Sequence, residues 1–224
     1  MFLAHFGVAF AAKKVAPKAS LGTLFIAGQL VDLLWPLFLF LGWEVVEIDP
    51  GNTAVTPLNF LYYPFTHSLL GSILWAALLV LLYKTVKGNT RTAVILGGVV
   101  MSHWFLDVLS HRPDLPLYPG SDIYLGLGLW NFIGGTLFVE AGFFFGGLAL
   151  YLQTTQPKDS RGKIVLWSFI VFICFIYLLN LLGPPPPSAE AIPIAGLAMW
   201  ILIAWGYWID RTRELRTGAT GSQR

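Results

Sequence analysis

Six stretches of this chain are apolar and long enough to cross a membrane, and they leave little sequence between them. They cover about residues 20–41, 66–83, 92–110, 129–152, 164–182 and 192–210. A bilayer core is about 30 Å thick and takes an apolar helix of about 20 residues. Since 56% of the 224 residues are hydrophobic and only 12% are charged, no separate aqueous domain fits between the stretches. The sequence therefore predicts an all-α, polytopic helical membrane protein.

A seventh, shorter apolar stretch occupies residues 2–12. It lacks the basic region and the small-residue cleavage site of a signal peptide, so we expect a short first helix that is part of the folded protein. The prediction is then about seven transmembrane or membrane-embedded helices. We expect residues 1–210 to form a single membrane-embedded domain and residues 211–224 to form a short basic cytoplasmic tail.

Basic residues are concentrated in every second connection, counting from the short first stretch. These connections begin with Lys13, Lys84, Lys158 and Arg211, whereas the others are mostly acidic. Loops rich in Lys and Arg stay in the cytoplasm, so the N-terminus is predicted outside and the C-terminus inside a bacterial or archaeal plasma (inner) membrane. The formal charge of +2 gives no indication of a nucleic-acid partner, and the partner expected from composition is membrane lipid.

Four of the predicted segments carry ionisable residues at a similar depth, toward the extracytoplasmic side. These residues are His5, Asp32, His67, His103 and Asp107. An aspartate near the centre of a spanning helix costs about 2.5–3.5 kcal/mol on insertion scales, so two of them need partners, water or a cation. His103 and Asp107 are four residues apart and share one helical face. Agreement in depth favours one convergent site over scattered packing contacts.

Imidazole and carboxylate groups are suitable ligands for zinc or another divalent metal. We expect the five residues to bind one or two divalent ions, with zinc preferred. For Asp32 and Asp107 the alternative is a buried hydrogen-bonded pair that fixes helix packing, and for His5 a packing role is an equal alternative. An aspartate that the metal leaves free would act as general base. Arg112 would steady a phosphate or carbonyl oxygen with its planar fork of donors.

Three further features are less specific. His111 ends its segment, where an interfacial position is favoured over metal binding. Glu140 lies in the middle of the fifth segment, and it either joins the site or pairs with Asn131 or a backbone group. Gly142 and Gly146 have the small-xxx-small spacing that lets helices approach closely.

Two motifs occur in a fixed order in the first 120 residues: FTHSLL at residues 65–70 and SHWFLDVLSHRPDLPLYPG at residues 102–120. With His5 and an aspartate in the following segment, they resemble the YdjM-like LexA-binding, inner-membrane-associated family of metal-dependent hydrolases. The resemblance implies metal binding at His5, Asp32, His67, His103 and Asp107. The chain departs from the family in reading GQLVDLLWP where members have a PDxDH-like cluster, and YYPF where they have HRG before THS.

The predicted function is a membrane-embedded metal-dependent hydrolase that acts on a lipid ester or phosphoester, because a site at headgroup depth suits a lipid substrate. One alternative is a permease or metal-ion transporter in which the same residues are transit sites. A transport pathway requires polar residues at successive depths, and the inner halves of these segments contain few. The other alternative is a non-enzymatic membrane scaffold whose polar cluster only holds the helices together.

Overall fold

The computed structural model describes residues 1–216 and consists of packed helices, with short strands in the connections and after the last helix. In chain order the helices are α1 Leu3–Ala12, α2 Leu21–Phe40, α3 Pro64–His67, α4 Leu69–Lys87, α5 Thr90–Ser110, α6 Ile133–Thr154, α7 Ser160–Leu182, α8 Ala191–Leu197 and α9 Met199–Arg211. The strands form three antiparallel pairs, which are β1 Val45–Ile48 with β2 Leu58–Tyr62, β3 Leu115–Pro116 with β4 Tyr124–Leu125, and β5 Thr155–Pro157 with β6 Arg213–Leu215.

Six helical stretches of the described chain are long and apolar enough to cross a membrane. They are α2, α4, α5, α6, α7 and the combined stretch of α8 and α9. This confirms the predicted polytopic helical class, and the protein is a multi-pass membrane protein. The last predicted segment, residues 192–210, is divided at Ala198 into α8 and α9.

Short polar side chains cap four of the long helices. Ser20, Ser68, Asn89 and Asp159 each accept a hydrogen bond from the backbone N–H three residues later, at the starts of α2, α4, α5 and α7. The cap at Ser68 changes one prediction. The third segment was expected to begin near residue 66, but Ser68 has extended backbone (φ −74°, ψ 159°) and separates α3 from α4. His67 is therefore the last residue of a separate short helix.

Helix α1 has only ten residues, too few to cross a bilayer alone, and the larger helices enclose it. It packs most extensively against α6, with further contacts to α2 and α5. The closest approach occurs at Gly147, where an added Cβ would overlap the backbone of Gly7. By contrast, Gly142 and Gly146 have no atom within 4 Å of an added Cβ. The prediction that these two glycines form the close helix contact is wrong for the described chain, and the contact lies one position further on.

The predicted basic tail begins inside packed structure. Strand β6 pairs with β5, and the buried Arg213 guanidinium donates to the hydroxyl and the carbonyl oxygen of Thr155, both at 3.1 Å. Residues 217–224 of the predicted tail lie outside the described residues.

Candidate metal centre

Five ionisable residues from four helices meet in one cluster, which we call the metal-centre cluster. They are His5 of α1, Asp32 of α2, His67 of α3, and His103 and Asp107 of α5. Four of these side chains are buried, whereas the side chain of Asp32 is 22% exposed. The structure thus brings together every residue that the sequence predicted as a metal ligand.

The ring nitrogens of three histidines point at the oxygens of two carboxylates. Nε2 of His103 lies 3.0 Å from Oδ2 of Asp107 and 3.6 Å from Oδ2 of Asp32. Nε2 of His67 lies 3.2 Å from Oδ1 of Asp32 and 4.0 Å from Oδ2 of Asp107. Nε2 of His5 lies 3.2 Å from Oδ1 of Asp107. These atoms form two overlapping groups of possible ligands, and His103 is common to both.

Two properties of the possible ligand atoms are those expected of a metal site: their separations, and the lack of hydrogen-bond partners for several of them among the described residues. Both ring nitrogens of His5 and Nε2 of His103 are buried and have no hydrogen-bond partner among residues 1–216, an arrangement that costs about 1–3 kcal/mol for each unsatisfied group. Around a tetrahedral zinc with bonds of about 2.0–2.1 Å, ligand atoms lie about 3.3 Å apart. The contacts of 3.0–3.6 Å within the cluster match this separation. The residues present therefore fit a divalent ion.

Backbone contacts set the orientation of His103. Its Nδ1 donates to the carbonyl oxygen of Gly28 at 2.8 Å. Since a carbonyl oxygen can only accept, Nδ1 carries the hydrogen, and the neutral ring has a free lone pair on Nε2. Outer hydrogen bonds of this kind are typical of metal-binding histidines.

A second outer contact involves a residue that the sequence analysis missed. The carboxylate of Glu44, in the connection after α2, is buried and accepts from the N–H of Thr66 at 2.8 Å and from its hydroxyl at 2.7 Å. The hydroxyl oxygen of Thr66 lies 2.7 Å from Nδ1 of His67. Burial raises the pKa of the Glu44 carboxyl, and the nearby His67 and the hydrogen bonds from Thr66 oppose this shift. The only sequence signal was an acid close to the end of an apolar segment.

Beyond the cluster, His111 is part of a hydrogen-bonded group. Its Nδ1 lies 3.0 Å from Oδ1 of Asp114 and 3.2 Å from the hydroxyl of Tyr63, which donates to the same oxygen of Asp114 at 2.6 Å. Burial lowers the pKa of His111, and burial with the Asp114 charge raises the pKa of Tyr63 well above its usual value. His111 is thus buried within the protein at the end of α5, and its predicted interfacial depth stays a prediction.

Arg112 lies outside the metal-centre cluster. Its Nε is 3.4 Å from Oδ2 of Asp114, and its Nη2 donates to the side-chain oxygen of Asn59 in β2. The side chain is 37% exposed. In the part of the chain that the structure describes, the hydrogen bonds and ion pairs of Arg112 are with these two residues and not with Asp32 or Asp107. Its role toward a substrate stays a prediction.

Glu140 of α6 pairs with backbone, one of the alternatives left open by the sequence. Its buried carboxylate accepts from the N–H groups of Phe2 at 2.9 Å and Ala4 at 2.7 Å. The first N–H groups of a helix have no partner within the helix, and α1 lacks a local side-chain cap. Glu140 therefore fixes the start of α1, close to His5.

Asp107 has a second positive group beside it. The α-amino nitrogen of Met1 lies 2.6 Å from Oδ1 of Asp107 and 3.4 Å from the hydroxyl of Ser110. Oδ1 is also the oxygen nearest to His5, whereas Oδ2 faces His67 and His103. The two oxygens of Asp107 thus have different surroundings.

A model of the family described as YdjM inner membrane protein matches residues 4–183 of the chain. The matched range includes the whole metal-centre cluster, with Glu44, Thr66 and Glu140. No curated protein and no solved structure matches the chain.

Proposed function

The chain belongs to the YdjM inner membrane protein family, and from this premise we propose that it is a membrane-embedded metal-dependent hydrolase. The observation that carries the proposal is the convergence of three imidazole Nε2 atoms on two carboxylates, with buried ring nitrogens that have no hydrogen-bond partner. A cluster that only held helices together would satisfy these nitrogens with donors and acceptors of its own.

The residues that would hold one or two ions, with zinc preferred, are His5, Asp32, His67, His103 and Asp107. A divalent ion supplies Lewis acidity and lowers the pKa of a bound water toward 7. Of the two aspartates, Asp32 is the better candidate for general base, because its side chain is 22% exposed and that of Asp107 is 3% exposed. Its carboxylate would accept the proton of the attacking water.

The substrate we propose is a lipid ester or phosphoester at the extracytoplasmic side. Large apolar side chains are exposed on the segments that flank Glu44 and His67, and they include Trp43, Leu61, Tyr62 and Phe65. Aromatic side chains of this kind favour the membrane–water interface. The guanidinium of Arg112, whose side chain is 37% exposed, would steady a phosphate oxygen there. The orientation assumed is the one predicted from the basic connections, with the N-terminus outside.

A transport function has one specific observation in its favour. The amide of Gln29 is fully buried, and within the described part of the chain neither its nitrogen nor its oxygen has a hydrogen-bond partner. Gln29 precedes Asp32 by three residues in α2, so the two residues are about one helical turn apart. In this alternative Gln29 would continue a polar path from the metal-centre cluster. Zinc uptake into proteoliposomes that Gln29→Leu abolishes would support transport, whereas impermeable vesicles would exclude it.

Metal content of detergent-purified protein tests the proposal directly. Plasma mass spectrometry is applied to the wild type, to His103→Ala and Asp107→Ala, and to His111→Gln as a histidine variant outside the cluster. We expect near-stoichiometric zinc in the wild type and in His111→Gln, and its loss in the two cluster variants. A folded wild type that contains no divalent metal, and takes none up on dialysis against zinc, contradicts the proposal.

Activity is then tested on two classes of substrate. Zinc-loaded protein in vesicles is incubated with phospholipids. Zinc-loaded protein in detergent is incubated with two soluble substrates, a p-nitrophenyl ester and p-nitrophenyl phosphate. We expect release of product from lipid that Asp32→Asn and His103→Ala abolish. Hydrolysis of the soluble compounds alone would support the proposed hydrolase activity and contradict the proposed lipid substrate.

A further inference from the structure

We propose that Glu44 is a positioning residue of the metal centre, which acts through Thr66 to keep the hydrogen of His67 on Nδ1 and to turn the lone pair of Nε2 toward the ion. The inference deepens the proposed function and rests on it for the ion, but the hydrogen-bond chain is itself an observation. Glu44, Thr66 and His67 are all buried.

The direction of each hydrogen bond between Glu44, Thr66 and His67 follows from which groups carry a hydrogen. A carboxylate has no hydrogen to give, so the hydroxyl of Thr66 donates to Glu44 (2.7 Å). This hydroxyl has a single hydrogen, and its oxygen can therefore only accept from Nδ1 of His67 (2.7 Å). Nδ1 therefore carries a hydrogen. Nε2 lies 3.2 Å from Oδ1 of Asp32 within the metal-centre cluster and donates to this oxygen until an ion takes the place of that hydrogen. The same tautomer is imposed on His103 by the carbonyl oxygen of Gly28.

The backbone contact of Glu44 provides a purely structural alternative. Its other oxygen accepts from the N–H of Thr66 at 2.8 Å, and this N–H belongs to the first turn of α3, where helix donors lack internal partners. If Glu44 served only to cap α3, a glutamine would suffice, because the amide oxygen can still accept from this N–H. The two roles can thus be separated by substitution.

Glu44→Gln reverses the direction of the hydrogen bond between Thr66 and His67, but it keeps an acceptor for the N–H of Thr66. With its oxygen on the Thr66 N–H, the amide presents its NH₂ group to the Thr66 hydroxyl. The hydroxyl must then donate to Nδ1 of His67, which places the ring hydrogen on Nε2, against the metal position. Thr66→Val removes the hydroxyl and leaves the tautomer unfixed, whereas Thr66→Ser retains the hydroxyl and is the matched control.

The first test reads whether Nδ1 of His67 carries a hydrogen in metal-free protein, and it does not require activity. The chain has four histidines, so ¹⁵N-histidine labelling gives few side-chain signals, and His67→Gln assigns the one needed. We expect a hydrogen on Nδ1 of His67 in the wild type and in Thr66→Ser, none on Nδ1 in Glu44→Gln, and partial occupancy in Thr66→Val. A hydrogen on Nδ1 of His67 in Glu44→Gln would overturn the proposal.

The second test measures zinc affinity by competition with a chromophoric chelator. Outer-shell partners of metal-binding histidines typically contribute about 10–100-fold in metal affinity, which is the loss expected for Glu44→Gln and Thr66→Val, with Thr66→Ser within about threefold of the wild type. Wild-type affinity in Glu44→Gln would again overturn the inference. If the wild type itself binds no zinc, the proposed function fails, while the tautomer of His67 still decides the role of Glu44. Thermal unfolding of each variant confirms that it is folded.

Discussion

The imidazole rings of His5 and His103 are stacked face to face, with their centroids 3.5 Å apart and their planes within 5° of parallel. Their Nε2 atoms approach different oxygens of the same carboxylate, Asp107, at 3.2 and 3.0 Å. Two imidazolium rings at this separation would repel each other, so the stack favours at least one neutral ring, the form that binds metal. The stack also joins the enclosed helix α1 to the spanning helix α5.

We expect His103 to be the most important ligand, because it is common to both groups of possible ligand atoms. His103→Ala should lower zinc affinity by at least about 100-fold, and by more than His5→Ala or His67→Ala does. Chelator competition on the purified variants gives the ranking. An effect of His103→Ala equal to or smaller than that of His5→Ala contradicts the arrangement, and His111→Ala is the control for loss of an imidazole elsewhere.

Because Gly28 has no side chain, α1 and α2 can pack close to each other beside the metal-centre cluster. A Cβ at this position would lie 2.9 Å from the carbonyl oxygen of His5 and 3.2 Å from Cβ of Ala9. Gly28→Ala should therefore displace α1 or α2, cost about 1–3 kcal/mol of unfolding free energy by overpacking, and weaken zinc binding. Gly98→Ala is the matched control, since nothing lies within 4 Å of its added Cβ. Thermal unfolding and zinc titration of both variants test this. Equal stability of the two variants would count against the close approach.

Much of the framework could be predicted from the sequence because bilayer thickness fixes the length of each segment. Hydropathy located the six spanning stretches, and the rise per residue placed His5, Asp32, His67, His103 and Asp107 at one depth. The structure adds that they also meet laterally. The basic connections gave an orientation that stays a prediction.

Features that depend on which faces of the helices meet could not be predicted. Apolarity around a spanning helix does not reveal its neighbours, so the small-xxx-small spacing of Gly142 and Gly146 could not show that the close contact lies at Gly147. The break at Ser68 depends on a local cap, and it makes His67 the end of a separate helix. The role of Glu44 could not be predicted, because only the folded connection brings its carboxylate to Thr66.

Glu140→Gln tests the anchoring of α1 from α6. The carboxylate accepts from two backbone N–H groups, at Phe2 and Ala4, and the amide has one oxygen to serve both. We expect a loss of about 1–3 kcal/mol of stability, since a buried donor is left without a partner, and reduced zinc content because His5 lies in the anchored turn. Glu190→Gln, at an exposed glutamate, provides the same chemical change as a control. Unchanged thermal unfolding of Glu140→Gln would show that the anchor is dispensable.

The α1–α6 crossing is tested by two neighbouring glycines of one helix. An added Cβ at Gly147 would overlap the backbone of Gly7, whereas one at Gly146 meets nothing within 4 Å. Gly147→Ala should cost about 1–3 kcal/mol, because packed backbone must move. Gly146→Ala should stay within about 0.5 kcal/mol of the wild type. Unfolding in detergent measures both, and a reversed order would place α6 in a different rotation about its axis.

Metal removal should lower the stability of the wild type, because a ligand that binds only the folded state shifts the unfolding equilibrium. At free zinc of 100 times the Kd, the shift is about 2.7 kcal/mol. We therefore expect the unfolding temperature to fall when EDTA is added and to recover with excess zinc, while His103→Ala responds to neither. The same scans on Glu44→Gln should show a response that needs higher zinc, since its site is present but its His67 tautomer is wrong. A wild type whose unfolding is insensitive to EDTA and zinc would mean that hydrogen bonds and the Met1–Asp107 ion pair alone stabilise the cluster.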